Sequence, residues 1–409
     1  MVKGYKNTPI GRIPADWEVV RFGDVAQIIM GQAPPSSTYN KEGNGLPFLQ
    51  GKAEFKEIYP SPSIYCSKPI KIAETNDILL SVRAPVGDVN ITPFRCCIGR
   101  GLAAVRAKKG KLYYLFLFYY LKLNGKKFEN LSSGSTFKAI KKEDIENFFI
   151  SLPSLPEQKK IAEILSTVDK AIQKVDEAIV KAERLKKGLM QELLTKGIGH
   201  KEFKDTEIGR IPKEWEVVRL GKVLEICQYG LSVPLKEKGK YPIIRMDEIV
   251  NGYVIPHITK YTDIDEETFR KFRLEKGDVL FNRTNSYELV GRTGIFLLDG
   301  DYVFASYLIR LRPKHDVLHS HFLTFYLIFS QDKLRQLATK AVHQANINAT
   351  NLKNFKIPLP PLPEQQKIAE ILSAVDKKLE LERKRKEKLE RIKKGLMNDL
   401  LTGRRRVKT

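Results

Sequence analysis

Between residues 161 and 182 the chain sets apolar side chains at Ile161, Leu165, Val168, Ile172, Val175, Ile179 and Ala182. The steps alternate four and three, the heptad rhythm of a helix that packs on another helix. Leu155-Pro156-Glu157-Gln158 opens this stretch and Lys186-Lys187-Gly188-Leu189-Met190 approaches its close. Pro156 suits a first helical turn and Gly197 suits a stop, so the pattern predicts a helix over 155–195. About 40 residues rising 1.5 Å each make a rod of roughly 60 Å. That exceeds an ordinary core helix and calls for a partner.

The partner lies in the same chain. Leu362-Pro363-Glu364-Gln365 repeats the opening 207 residues later, and Lys393-Lys394-Gly395-Leu396-Met397 repeats the close at the same spacing. Two such matches at one offset indicate a duplication. The seam is predicted from Ile161, Leu165, Val168, Ile172, Val175 and Ile179 on the first rod, with Ile368, Leu372, Val375 and Leu379 on the second. Leu189, Leu193, Leu396 and Leu400 continue it after a change of phase. The charged middle of the second rod, Glu380 to Glu390, is expected to be a solvated face, and Arg404-Arg405-Arg406 a frayed basic tail.

Outside the rods the polar and apolar pattern shortens. Ile10-Gly11-Arg12-Ile13-Pro14 leads to Trp17-Glu18-Val19-Val20, and Ile208-Gly209-Arg210-Ile211-Pro212 leads to Trp215-Glu216-Val217-Val218. Each is a turn followed by a short strand. Trp17 and Trp215 are the only tryptophans, and their matched placement suits anchors. Further on, Asn76–Arg83 and Gly277–Arg283 both read as a turn entering an apolar strand with a polar end. Tyrosine- and phenylalanine-rich helices follow at 112–123 and 319–330. The expected fold class is α/β, mixed α+β. Two globular domains are separated by two long antiparallel helices that form an intramolecular coiled coil with pseudo-two-fold symmetry. The predicted divisions are 1–154, 155–200, 201–361 and 362–409. The linker after Gly197 is too short for a parallel return.

The chain has 71 Lys and Arg against 48 Asp and Glu, a net charge of +23. The excess is spread: 22 against 13 over 1–150, and 25 against 20 over 201–357. A polyanion lying across the whole molecule fits this distribution. No apolar run reaches the ~18–20 residues of a membrane span, and Met1-Val2-Lys3-Gly4 opens no export signal. The four cysteines have no ligand-like spacing, so a cytoplasmic protein is expected.

Catalytic signatures are missing from the sequence. It contains no phosphate-cradling Gly-x4-Gly-Lys-Ser/Thr loop, no Asn-Pro-Pro-Tyr of an amino-methyltransferase, no dinucleotide fingerprint and no zinc-protease or Gly-x-Ser-x-Gly motif. His315, His319 and His321 lack acidic partners at ligand spacing, so no metal is expected and they suit a helix start. The acidic run 263–267 could suggest a nuclease cluster, but without an appropriately spaced Lys it suits a solvated loop or a helix N-terminus.

The order of domain, Leu-Pro-Glu-Gln rod, divergent domain and the same rod again resembles the specificity subunit of a type I restriction-modification system. The resemblance covers nearly the whole chain. It implies two target-recognition domains that each read half of a split DNA sequence, and a helical pair that fixes the gap. It implies partners as well: double-stranded DNA, two modification subunits and nuclease-translocase restriction subunits. S-adenosylmethionine, ATP and Mg would belong to those partners, with no cofactor and no catalytic residue in this chain.

Base edges are read by Arg, Asn and Gln, and phosphates by Lys and Arg. Polar strand ends and loops in the divergent segments are therefore the DNA-contact candidates. In the first domain they are Gln50, Lys52, Ser81, Arg83, Ser133, Ser135, Thr136 and Lys138. In the second they are Arg245, Asp247, Asn282, Arg283, Thr284, Asn285, His343, Gln344 and Asn346. Arg83 and Arg283 fall at similar places and suit phosphate clamps as well as readers. Two rival readings remain: a freestanding DNA-binding scaffold, and a fused methyltransferase or nuclease with an unfamiliar site.

Overall fold

The computed structural model describes residues 4–131, 139–257, 260–341 and 344–408, with backbone alone at 340, 341 and 344. The chain forms two compact units, one of residues 1–176 with 384–409 and one of 177–383. Each unit therefore holds one globular domain and one part of each long helix. Those helices run Leu155–Lys196 and Leu362–Leu401. The first stops where Gly197 takes φ +67°, and the second is followed by Gly403 at φ +70°, the left-handed conformation that favours glycine after a helix.

In the first unit a four-stranded sheet has the order Val89–Ile91, Ile78–Ser81, Leu102–Ala107, Ala26–Met30. A second sheet is built on Leu46–Leu49, which pairs in parallel with Cys96–Ile98. The helix Tyr114–Leu131 supplies Phe116, Leu117, Phe118 and Leu121 to the core. Glu18–Arg21 pairs antiparallel with Phe149–Leu152, which seats the domain's start beside the strand that enters the long helix.

The second unit repeats this plan. Leu308–Pro313 lies between Leu224–Tyr229 and Val279–Asn282, and Tyr241–Ile244 pairs in parallel with Val303–Phe304. The aromatic helix is Ser320–Phe329, followed by Gln331–Gln336. Glu216–Arg219 pairs with Lys356–Leu359. A small sheet of Thr284–Asn285, Gln344–Asn346 and Thr339–Ala341 belongs to this unit.

The Pro-Glu-Gln signature has a physical role. Trp17 and Trp215 are fully buried. The Trp17 indole donates to Glu157 at 3.1 Å, and the Trp215 indole donates to Glu364 at 2.9 Å. Gln158 donates to the carbonyls of Pro153 and Lys111 and accepts from the Tyr113 amide. Gln365 does the same with Pro360, Val317 and His319. A buried amide with its donors and acceptor satisfied avoids the cost of an orphaned polar group. Both helices are thus pinned to their own domains through identical chemistry.

A further side chain completes each cluster, and here the two differ. Arg406 donates to both oxygens of Glu157 and to both of Asp16, and lies over the Trp17 ring. The Arg406 guanidinium hydrogen-bonds hold the Asp16 carboxyl below its usual pKa. Arg406 is therefore a fixed member of the first unit, not part of a frayed tail. In the second unit His200 Nε2 sits 2.8 Å from Glu364.

The helix pair is antiparallel in both units. In the first, Asp169 pairs with Lys393 and Asp176 with Lys386; in the second, Glu183 pairs with Arg383 and Lys186 with Asp376. Of the predicted seam, Ile161, Leu165, Ile172, Val175, Ile368, Leu372 and Leu379 are buried, while Val168, Ile179 and Val375 are half-buried. The two named stripes do not meet along their length, because an antiparallel register crosses them. Ile161 and Leu165 share a core with Met397, Leu400 and Leu401, and Ile368 and Leu372 share theirs with Met190, Leu193 and Leu194. Arg383–Glu183 and Lys386–Asp176 are partly exposed ion pairs, worth about 0–1 kcal/mol each. Asp169, Lys393 and Asp376 are far more buried, and breaking such a pair costs about 3–5 kcal/mol.

Candidate nucleic-acid interface

The strand ends of each globular domain converge on one backbone-stapled edge. In the first unit the Gly31 amide donates to Leu102 O, Gly99 to Leu49 O, Val82 to Gly101 O and Ile140 to Val82 O. In the second, Gly230 donates to Leu308 O, Ala305 to Ile244 O, Arg283 to Tyr307 O and Ile347 to Arg283 O. The four bonds are the same in both. A Cβ on Gly31 would stand 2.2 Å from Gly99 O, and one on Gly230 would stand 2.3 Å from Ala305 O, so glycine is required at both crossings.

These bonds fix which positions correspond. Gln50 matches Arg245, Arg100 matches Ser306 and Gly101 matches Tyr307. Val82, not Arg83, matches Arg283. A one-residue shift on a strand turns a side chain to the other face, so Arg83 and Arg283 are not equivalent clamps. Arg83 is exposed. Arg283 stacks 4.8 Å from the Tyr229 ring centroid and donates to Ser306 O and to Asn346 Oδ1 at 3.0 Å. It ties three separate segments together.

The remaining candidates divide by environment. Gln50 is exposed at the first edge, and Lys52 beside it pairs with Asp88. Ser81 does not reach the surface: its hydroxyl donates to Pro85 O and accepts from the Asp88 amide. Asn282, expected at a strand end, is fully buried too, because its backbone still pairs with Leu308 on one side and with Gly291 and Arg292 on the other. Arg245 is largely covered and donates to the exposed Asp247 at 2.9 Å. Thr284 and Asn285 pair with Asn346 and Ala345, which brings three candidate segments together. Asn285 also contacts the Met246 sulfur. Gln344 is placed by its backbone in the same sheet. Ser133, Ser135, Thr136, Lys138 and His343 lie outside the described residues.

Arg100, Tyr229 and Tyr307, none of them among the candidates from sequence, also lie at these edges. Arg100 is exposed between Gly99 and Gly101, whose amides are tied to the Gln50 segment. Tyr229 is 40% exposed and its hydroxyl accepts from the Ala349 amide. A Gly-Arg-Gly tripeptide beside a strand was the available signal for the first. Nothing local marked the tyrosines.

The edges present Gln and Arg in one unit and Arg, Asp, Asn and Tyr in the other, on backbone held by identical bonds. Such groups can donate to guanine, bridge adenine or meet phosphate. Other polar clusters are occupied structurally. Asp265 caps the helix Glu266–Phe272 through the Thr268 amide, and Asp263 pairs with Lys236. Among the described residues no three His, Cys, Asp or Glu are grouped to hold a metal. No helix among them is long and apolar enough to cross a membrane. Burial pushes the Cys96 thiol up to about 12.

Comparison with known proteins agrees with this plan. The family model described as type I restriction modification DNA specificity domain matches twice, at residues 14–182 and 212–391. The MjaVIII specificity subunit of a type I restriction enzyme from Methanocaldococcus jannaschii is 32% identical over 97% of this chain and 95% of its own length. The putative MjaX specificity subunit from the same organism is 53% identical, over 47% of this chain and 46% of its own length, so the chain spans about half of that relative. Among solved structures, the type I restriction-modification S subunit from M. genitalium superposes with a TM-score of 0.62 at 17% identity, covering 94% of this chain and 96% of its own. With the duplicated domain model spanning both units, the chain belongs to the family of type I restriction-modification DNA specificity subunits.

Proposed function

We propose that this chain selects a bipartite double-stranded DNA target, with residues 1–154 and 201–361 each reading one half-site. The helical segments 155–200 and 362–409 set the unread gap between them. The observation that carries this reading is the pair of strand-end edges, alike in backbone bonding and unlike in side chains. Shared backbone suits a shared approach to the duplex; differing side chains suit different bases. Half-sites one DNA turn apart, about 34 Å, can be contacted from one face, and a helix pair of roughly 60 Å is long enough to carry two readers.

The chain brings no chemistry of its own in this reading. Two modification subunits supply S-adenosylmethionine-dependent methylation, and restriction subunits can join the same cytoplasmic assembly. Mapping methylated positions in the host genome tests the proposal directly. The expected result is one motif with two fixed halves and a constant gap. A continuous motif, or methylation by the purified chain alone, would overturn it. Within the second edge, Arg283→Ala is expected to weaken binding to all sequences, because Arg283 ties separate segments together.

A further inference from the structure

We propose that two buried ion pairs, Asp169 with Lys393 and Asp376 with Lys186, lock the register of the helix pair and thereby make the unread gap a single length. This rests on the ruler reading given above and adds the residues that enforce it.

The pairs are copies of each other. Asp376 follows Asp169 by 207 residues, and Lys393 follows Lys186 by the same 207. The duplication thus places an Asp and a Lys on each helix, and the antiparallel arrangement lets each Asp meet the other helix's Lys. Asp169 and Lys393 side chains are 5% and 10% exposed. Asp376 and Lys186 are 10% and 17% exposed and 2.5 Å apart. Each carboxylate also faces a tyrosine of its own globular domain. Tyr119 Oη donates to Asp169 at 2.7 Å and Tyr253 Oη approaches Asp376 at 3.4 Å. Lys393 has Glu57 at 3.8 Å as a second, exposed neighbour.

Apolar seams tolerate sliding by a heptad, since one aliphatic side chain replaces another. These polar positions do not. Slide one helix by seven residues and Asp376 faces Leu193 or Ile179, while Lys186 faces Arg383 or Ala369. In the first unit, one slide sets Asp169 against Leu400 and the opposite slide sets Lys393 against Ala162. Every displaced register strands at least one buried charge in each unit, the arrangement in which a polar pair specifies register at the expense of stability. The tyrosine contacts bind that register to the reading domains themselves.

The test uses the complex of this chain with its modification subunits, and synthetic duplexes carrying the mapped half-sites with the natural gap or one base pair more or less. The variant combines Asp169→Leu, Lys186→Met, Asp376→Leu and Lys393→Met, which removes the charges and leaves apolar side chains at all four positions. Wild type is expected to methylate the natural gap with strong preference. The variant is expected to lose at least tenfold of that preference while keeping both half-sites. A second variant with each pair exchanged, Asp169→Lys with Lys393→Asp and Asp376→Lys with Lys186→Asp, is expected to restore it. Unchanged gap preference in the folded apolar variant would overturn the lock. Inserting seven residues into both helices separates the two failures. If the gap ignores the insertion, the ruler itself falls; if the gap moves but the apolar variant discriminates like wild type, only the lock falls.

Discussion

The two units solve one structural problem with different side chains. Both bury a tryptophan, hydrogen-bond its indole to the glutamate that opens a long helix, and cover that glutamate with a nitrogen-bearing side chain. The first unit uses Arg406, always charged and bidentate to two carboxylates. The second uses His200, which follows directly after its helix, and Glu364 also accepts from the Ile198 amide. What is common to both, the Trp–Glu bond, is the anchor; what differs is how each half closes around it. The strand-end edges show the same division, with backbone bonds alike and side chains exchanged.

The largest expected effects come from breaking the common part. Trp17→Ala and Trp215→Ala should each destabilise their own unit by about 3–5 kcal/mol, seen as loss of amide-exchange protection in that unit first. Glu157→Ala should cost about 2–4 kcal/mol, since it orphans the indole and one face of Arg406. Arg406→Ala should cost less, about 1 kcal/mol, because the guanidinium is one-third exposed. Equal losses for Glu157→Ala and Arg406→Ala would show that the cation, not the indole bond, is the anchor.

A change of pH sharpens the contrast. All six histidines fall within 177–383. Burial lowers the pKa of His319, and burial with its neighbours His319 and Lys377 lowers that of His321. A histidine whose folded pKa is depressed binds protons more readily when unfolded, so stability falls as pH drops below about 6.5. Between pH 7.5 and 5.5 the second unit should lose exchange protection and the first should not. The smallest effect is expected at the first edge, where Arg100→Ala should alter or weaken only one half-site of the methylated motif; a change in the other half-site would contradict independent reading.

Much of this fold was legible in the sequence because duplication supplies an internal comparison. The heptads at 161–179, the Pro156 start and the Gly197 stop gave both helices almost to the residue. Following apolar positions alone concealed the rest of the seam, since Asp169, Lys186, Asp376 and Lys393 are charged residues at buried places. The site was less legible. Ser81 and Asn282 look like exposed strand ends until the third dimension buries them, and the apparent match of Arg83 with Arg283 is one residue out of step. Tyr229 became visible only when Arg283 and Asn346, far apart in sequence, met around it.

The division of the helices also bears on synthesis at the ribosome. The second unit, 177–383, is contiguous, so all of its parts emerge together. The first needs 384–409 to complete its core and cover Trp17. Its globular part is translated earliest yet must wait for the whole of its twin before Arg406 can close it. Chaperone contact during translation should therefore concentrate on the amino-terminal half.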